Sequence, residues 1–214
     1  MTEDPPRAPL IGIVGGIGSG KSEVARAFGR IGCLVTDSDA QAKEILTRPL
    51  VRDELVRWWG PSVLDAEGRI DRAAVAKIVF SDAGARARLE GLVHPLLHRE
   101  RQALVQRMAR DGGVRAIVID APLLFEAGVD RECDAVIFVD APFSQRLERV
   151  RLSRGWDAAE LERREAAQLS LEEKRRRSRF VVDNRGTVED LERQVGEILE
   201  RVRTDTRYSG GDGA

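Results

Sequence analysis

The stretch that decides the fold is Gly15-Gly16-Ile17-Gly18-Ser19-Gly20-Lys21-Ser22, which follows the apolar run Leu10-Ile11-Gly12-Ile13-Val14. Glycines at this spacing let successive backbone N–H groups turn inward around a phosphate, which a Cβ would obstruct. Lys21 adds a positive charge beside the phosphates, and Ser22 offers a hydroxyl to Mg²⁺. The helix that begins here aims the positive end of its dipole at the same anion. The stretch therefore predicts a nucleoside triphosphate site, to which we also assign the next residue, Glu23.

A glycine-rich turn with a chance Lys-Ser pair is the alternative. An amphipathic helix follows the loop, with Val24, Ala25, Phe28 and Ile31 on one face. A buried-type strand before the loop and this helix after it are the context that the binding loop requires. The context favours the binding loop over the chance turn.

Composition limits the remaining possibilities. The 214 residues are enough for one sizeable core, and 33% charged residues cancel to a net charge of -1. Such a balance gives no basic field for nucleic acid or an anionic membrane, and we predict neither partner. Cys33 and Cys133 lie far apart, so neither a disulfide nor a zinc site is indicated. The lack of a basic field favours a small-molecule substrate. The polar, proline-rich start and the lack of a span-length apolar run predict a cytoplasmic protein.

Short apolar runs alternate with helical patterns along the chain, which is typical of an α/β fold. We predict the P-loop nucleoside triphosphate hydrolase fold, a five-stranded parallel sheet flanked by helices. The predicted strands are Leu10 to Val14, Cys33 to Thr36, Arg115 to Ile119, Ala135 to Val139 and Phe180 to Val182. A last helix from about Val188 to Arg203 carries an apolar stripe.

We predict that one domain over residues 10–207 contains these elements. Residues 1–9 and 208–214 are predicted to be disordered ends. Residues 38–114 are too many for one crossover helix and predict a helical insert that binds a second substrate. Its predicted helices are Ala40 to Leu46, Val51 to Trp59, Arg72 to Val79, Ala83 to Val93 and Pro95 to Arg110. Residues 143–179 predict a helical lid. A cap without a ligand is the alternative for the insert.

Ordered landmarks along the chain carry a resemblance to a known family. Besides the loop they are Asp37-Ser38-Asp39, Val79-Phe80-Ser81, His94-Pro95-Leu96, Pro122-Leu123-Leu124-Phe125-Glu126, Gln168 with Glu172-Glu173-Lys174, and Asp183-Asn184. From about Leu10 to Leu199 the chain resembles the dephospho-coenzyme A kinases. The resemblance implies a phosphotransferase that uses ATP to phosphorylate the ribose 3′-hydroxyl of dephospho-coenzyme A, the last step of coenzyme A biosynthesis.

Two aspartates that follow strands are the first candidates for chemistry. Phosphoryl transfer needs positioning, charge neutralisation and a group that receives the acceptor's proton. Asp39 lies just past the second predicted strand and is our candidate base and acceptor-binding group; a helix N-cap is the alternative. Asp120 ends the third strand and is predicted to hold Mg²⁺ with Ser22, directly or through water; a loop cap is the alternative.

Further candidates lie in the lid and around the sheet. The planar guanidinium group of arginine matches the geometry of phosphate oxygens. Of the many arginines in the lid we select Arg149 as a catalytic group and Arg154 and Arg164 as substrate-binding groups. A solvated helix face is the alternative. Glu126 is predicted to orient the substrate or a lid arginine. His94 is predicted to bind the acceptor; a packed histidine that ends one helix before Pro95 is the alternative. Asn184 is predicted to approach the adenine or to form a turn.

Two other functions compete with this prediction. The nearer is a P-loop kinase for another nucleotide or small alcohol, and a substrate panel separates the two. The further is a nucleotide-dependent switch, but the Asn-Lys-x-Asp tetrapeptide of a base-reading GTPase loop does not occur. We predict a monomer or a weak homo-oligomer.

Overall fold

A computed structural model describes residues 8–111 and 113–208 of the chain. They divide into two compact units, the first up to Asp37 and from Val105 onward, the second Ser38–Leu104. The predicted end segments 1–9 and 208–214 lie mostly outside the described residues. Ala8 and Pro9 are buried, and helix α9 continues to Tyr208.

The first unit is built on five parallel strands, as predicted. Their order is β2-β3-β1-β4-β5. The strands are β1 (Leu10–Gly15), β2 (Leu34–Asp37), β3 (Ile117–Asp120), β4 (Ala135–Asp140) and β5 (Phe180–Asp183). Asp37 is in register with Asp120, so two carboxylates lie at the carboxyl ends of adjacent strands. Ligands of such open sheets bind at this edge.

Nine helices connect or cover these strands in the described residues. They are α1 (Lys21–Arg30), α2 (Ser38–Leu46), α3 (Pro49–Trp59), α4 (Arg72–Ser81), α5 (Ala83–Asp111), α6 (Phe143–Arg154), α7 (Ala158–Ala166), α8 (Leu171–Arg177) and α9 (Val188–Tyr208), with short 3₁₀ turns at Pro61–Val63 and Val129–Glu132. Within these residues no helix is both long enough and apolar enough to span a membrane.

The core of the first unit lies between the sheet and helices α1 and α9. Buried residues of α1 pack there with the predicted stripe of α9, which comprises Leu191, Val195, Ile198, Leu199 and Val202. Cys33 belongs to this core, and burial raises the pKa of its thiol to about 11. Strand β1 approaches the turn after β3 very closely, because a Cβ built on Gly12 would lie 2.5 Å from Leu124 Cδ1. A larger residue would fit at position 12 only if the Leu124 side chain shifted.

The second unit has a small core of its own. Ile45, Val51, Leu55, Val63, Val75, Val93 and Leu97 form it, and partly buried side chains pack around them. Trp58 and Trp59 are among these, with ring centroids 5.7 Å apart in an edge-to-face arrangement. Both tryptophan side chains thus pack against the core of this unit.

Helix α5 corrects one prediction. Pro95 was expected to separate two helices, yet one helix runs through it from Ala83 to Asp111. Proline removes one N–H and disturbs the preceding turn, but Val93 and Leu97, four residues apart on one side of the helix, are both buried in the core. Burial on both sides of the proline keeps the two halves in one helix. His94 is exposed on it and ends no helix.

Candidate active site

The phosphate-binding loop joins β1 to α1 as predicted. Its glycines adopt positive φ at Gly15, Gly18 and Gly20. Gly20 has φ 92° and precedes the first turn of α1, and a Cβ built there would lie 2.1 Å from Asn184 Nδ2. The left-handed conformation and the close side chain together require glycine. The loop therefore places its backbone amides at the N-terminus of α1, where the helix dipole favours an anion.

Donors of this unit bind the loop's carbonyl groups. Lys21 Nζ donates to the carbonyls of Gly15 and Gly16, both at 3.1 Å. Arg149 Nη1 donates to the carbonyls of Gly18 at 3.2 Å and Ser19 at 3.1 Å. These contacts fix the carbonyl side of the loop and help to pre-form the phosphate site.

Asn184 reaches the same side of the loop from the end of β5. Its Nδ2 donates to the carbonyl of Ser19 at 2.8 Å, and its own carbonyl accepts from Arg149 Nη2 at 3.2 Å. The structure thus brings Arg149 and Asn184 together behind the loop, where each holds backbone. In this structure the Arg149 guanidinium donates to three carbonyls, and its role as a catalytic group stays a prediction.

Ser22 and Asp120 form the pair expected for a metal. Ser22 Oγ lies 3.3 Å from Asp120 Oδ2. A hydroxyl and a carboxylate are the hard oxygen donors that Mg²⁺ prefers. No cluster of three or more histidine, cysteine, aspartate or glutamate side chains suited to a metal occurs in residues 8–111 and 113–208. The pair fits an ion that also takes oxygens from nucleotide and water.

Lys21 has an unusual environment. Burial is the main cause that lowers the pKa of its ammonium, from 10.5 to about 8. The nearby carboxylate of Asp120 opposes this shift, as does Glu165, whereas the positive charges of Lys174 and Arg154 add to it. Two lid cations and two carboxylates therefore act electrostatically on the loop lysine.

Helix α7 carries a carboxylate to the loop. Glu165 Oε1 accepts the backbone N–H of Ile17 at 3.0 Å, and the same oxygen pairs with Arg146 of α6. Arg146 also donates to the carbonyl of Ile17 at 3.4 Å. Neither Arg146 nor Glu165 was selected from the sequence.

Two predicted substrate-binding arginines meet on one aromatic ring. The guanidinium carbons of Arg154 and Arg164 lie 4.7 and 4.1 Å from the ring centroid of Trp156, within cation–π range. Arg164 also donates from Nε to Glu160 at 2.5 Å. Hydrogen bonds from Arg163 and Arg164 hold the pKa of Glu160 down at about 2. Both guanidinium groups therefore stack on the Trp156 ring. Arg154 is also close enough to Lys21 to affect the pKa of that lysine.

Glu126 joins the turn after β3 to the lid. Its Oε1 accepts the backbone N–H of Leu169 at 2.9 Å and pairs with Lys174 Nζ at 3.2 Å. Lys174 is completely buried, and it also donates to Gln168 Oε1 at 2.9 Å. Glu126 thus contacts a lid lysine in this structure, and its role in orienting the substrate or a lid arginine stays a prediction.

The remaining predicted site residues are Glu23, Asp39 and His94. Glu23 pairs with Arg26 and Arg30 on the exposed side of α1, so its side chain is not brought to the phosphate site. Helix α2 begins at Ser38, which places Asp39 inside its first turn, and the N-cap alternative is wrong. The side chain of Asp39 lies outside the described side chains. His94 is exposed in the second unit.

The fold and the site together define a P-loop kinase of small molecules. The model of the dephospho-CoA kinase family matches residues 9–190, and the chain belongs to that family. A dephospho-CoA kinase of Deinococcus radiodurans is 42% identical over 207 residues, which cover 94% of this chain and 99% of the relative. One of Thermobifida fusca is 40% identical over 195 residues, 90% of this chain and 96% of the relative.

A solved structure supports the same fold. The crystal structure of TT1252 from Thermus thermophilus is 37% identical and superimposes with a TM-score of 0.78, covering 91% of this chain and 98% of that one. The family implies that ATP is the phosphate donor.

Sequence reasoning missed four residues of the site. They are Arg146, Trp156, Glu165 and Lys174, the last of which served only as a landmark of the family resemblance and was given no role. Lys174 was visible as the first of four consecutive cations, of which the other three are exposed. A run of charges on a helix indicates a solvated face, and nothing in the run distinguishes the one position that faces inward.

Proposed function

We propose that this chain transfers the γ-phosphoryl group of ATP to the ribose 3′-hydroxyl of dephospho-coenzyme A, giving coenzyme A and ADP. The observation that carries the proposal is the family match over residues 9–190. The pre-formed loop and the Ser22–Asp120 pair support a transfer reaction, because they place phosphate and metal donors at one sheet edge.

In the proposed reaction the 3′-oxygen forms a bond to the γ-phosphorus as the bond to the ADP oxygen breaks. The proton of the hydroxyl goes to a carboxylate, for which we propose Asp39, with Asp37 and Asp120 as the other choices. Lys21 contributes positive charge beside the transferred group. Transition states of this kind are loose, so positioning and charge neutralisation account for most of the catalysis.

Mg²⁺ fits the donor set at the carboxyl end of β3. We propose that Ser22 and Asp120 would hold it, Asp120 directly or through water. When bound, such an ion neutralises phosphate charge and aligns the phosphates. Ser22 and Asp120 are 3.3 Å apart, so no change of backbone is required to bring the two donors to one ion.

Arg154 and Arg164 are proposed to contact phosphate oxygens from the lid. Their stacking on Trp156 supports this, since it holds two long side chains against one ring and reduces their conformational freedom. Arg149 is proposed to act through the loop and Asn184, in keeping with its bonds to carbonyls. The adenine would lie beyond Asn184.

The helical insert, residues 38–114, is proposed to bind the acceptor, and His94 remains a prediction within it. Dephospho-coenzyme A should then slow amide hydrogen exchange in the helices of the insert, whereas ATP alone should chiefly protect Gly15 to Ser22. Acceptor protection confined to the lid would place the acceptor site elsewhere. We further propose that the enzyme works in the cytoplasm, where ATP is supplied, as a monomer or weak homo-oligomer.

A substrate panel tests the function. ADP release should require dephospho-coenzyme A, and mass spectrometry should show one added phosphoryl group on the acceptor. An acceptor analogue that lacks the 3′-hydroxyl should not react. The Lys21→Ala variant is the control for contaminating kinases, because it should remain folded and lose transfer. Preferred turnover of another alcohol or nucleotide would establish the rival P-loop kinase instead.

A further inference from the structure

A largely buried ion pair lies directly against the phosphate-binding loop. The side chains of Arg146 and Glu165 are only 6% and 17% exposed. Glu165 accepts the N–H of Ile17 at 3.0 Å, and Arg146 donates to the carbonyl of the same residue at 3.4 Å. Both peptide groups that flank the Ile17 Cα are therefore bound by one pair of side chains.

The loop backbone and the pair are in close contact. A Cβ built on Gly16 would lie 2.7 Å from Arg146 Nη1 and 2.9 Å from Glu165 Oε1. A Cβ built on Gly18 would lie 2.6 Å from the backbone carbonyl oxygen of Arg146. The glycines on both sides of Ile17 therefore let the backbone approach α6 and the pair.

The loop has a physical need for such support. Glycine has more backbone freedom than any other residue, so a loop that alternates glycine with other residues is not pre-formed by its own conformational preferences. Arg149 and Asn184 hold the Gly18 and Ser19 end, and Lys21 holds the carbonyls of Gly15 and Gly16. Ile17, between them, is held by Arg146 and Glu165.

The two opposite charges of the pair also suit a position beside a site for an anion. A carboxylate alone beside a triphosphate site would repel the nucleotide. Arg146 cancels this charge at contact distance while leaving the carboxylate oxygen available to the Ile17 N–H. The arrangement gives the loop a strong acceptor without a net negative charge.

We propose that Arg146 and Glu165 are positioning residues that hold the Ile17 peptide groups in the orientation that nucleotide binding requires, and that tie helix α7 to the phosphate-binding loop. The pair itself need not contact the nucleotide. The proposal rests on the proposed function only in that the loop binds ATP, and it is independent of the acceptor.

Apolar replacement of both partners separates positioning from stability. The variants are Arg146→Met, Glu165→Leu and the double variant, and each is measured for its thermal unfolding midpoint and for its affinity for a non-hydrolysable ATP analogue by calorimetry. Each single change leaves a buried charge without its partner and should lower the midpoint, whereas two apolar side chains of similar volume restore much of it. Affinity should stay about 10-fold weaker in the double variant, because the Ile17 groups have lost their charged partners.

A conservative variant and two surface variants complete the design. Glu165→Gln keeps an oxygen that can accept the Ile17 N–H, and it should bind the analogue within about threefold of the unmodified protein. Glu162→Gln and Arg151→Met change exposed residues of the same two helices and should alter neither readout.

Recovery of both stability and affinity in the double variant would overturn the proposal, since the pair would then be structural only. Tighter binding of the analogue by Glu165→Leu would also overturn it, because Glu165 would then be an anion that competes with phosphate. Normal analogue binding by the unmodified protein without transfer to dephospho-coenzyme A would reject the proposed function and leave this test valid.

Discussion

Ser22 Oγ and Asp120 Oδ2 lie 3.3 Å apart, which joins the first turn of α1 to the end of β3 at the edge where the phosphate-binding loop opens. Ser22 lies in the helix that follows β1, and Asp120 ends β3, which pairs with β1, so two segments far apart in sequence meet here. Their separation allows both to serve one cation, directly or through a water.

Asp120→Asn should therefore raise the Mg²⁺ concentration needed for half-maximal turnover by about 10-fold or more, the usual cost of losing a charged group near a metal. Initial rates over a magnesium titration at saturating ATP measure this. Glu197→Gln, on the exposed surface of α9, is the matched control. An unchanged magnesium requirement in Asp120→Asn would assign the aspartate to loop capping.

The lowered pKa of Lys21 predicts a loss of ATP capture at alkaline pH. The ammonium is charged below about 8 and neutral above it, so kcat/KM for ATP should be level below this pH and fall as pH rises, by about tenfold per unit. Bound phosphates favour the charged form, so kcat at saturating ATP should fall at higher pH than kcat/KM does.

Arginine at position 21 gives the comparison for this pH dependence. A guanidinium keeps its charge throughout the accessible range, so ATP affinity of Lys21→Arg, whatever its absolute value, should not fall near pH 8. Calorimetric titration at several pH values measures it. The same alkaline fall in both proteins would show that another group titrates.

Replacement of Asp39 by asparagine tests the proposed base. Asp39 lies in the first turn of α2, so the change removes a favourable charge at the helix N-terminus and should cost at most about 1 kcal/mol. Turnover should fall by about 10²–10⁴-fold, the usual contribution of a general base, with ATP affinity nearly unchanged.

Asp37→Asn is measured beside it, since Asp37 is in register with Asp120 and is the nearest alternative. If Asp39→Asn keeps more than about a tenth of the activity while Asp37→Asn does not, the base is Asp37. If both keep their activity, the reaction proceeds without a carboxylate base from this strand end.

The Glu126–Lys174 pair predicts an asymmetry in stability. Glu126→Leu leaves the fully buried Lys174 ammonium without its carboxylate, which should cost about 3–5 kcal/mol. Lys174→Met should cost less, because the Glu126 side chain is 25% exposed and can be solvated. Urea unfolding followed by circular dichroism measures both. Equal losses of unfolding free energy in the two variants would mean that side-chain packing at this junction contributes more to stability than the charge of the pair.

Much of the fold could be predicted because it depends on local patterns. All five strands and helices α2, α3 and α4 lie within about two residues of their predicted positions, since buried parallel strands are apolar runs and these helices carry apolar residues at helical spacing. The predicted helix boundary at Pro95 was wrong because a local pattern was outweighed by packing. Proline is a local signal against a helix, and it was overridden by burial of residues on both sides of it in a core that only the folded unit contains.

The residues of the site likewise fall into those that local patterns predict and those that only the folded structure reveals. The loop and the Ser22–Asp120 pair are encoded by a contiguous motif and by strand ends, and both could be identified. Arg146, Glu165 and Lys174 depend on which side of a charged helix faces inward. In segments where nearly every turn carries arginine or glutamate, no pattern of composition reveals that choice.

Gly12 leaves so little room that Leu124 occupies the place a Cβ would take. Leu124 and the lack of a side chain at Gly12 thus set one distance in the fold. It is the distance between the strand that leads into the phosphate-binding loop and the turn that follows Asp120. Homologous sequences should therefore show linked variation at positions 12 and 124: a larger residue at 12 should occur with a smaller one at 124. Introducing alanine at position 12 alone should select, in a screen for restored growth, for shorter side chains at position 124.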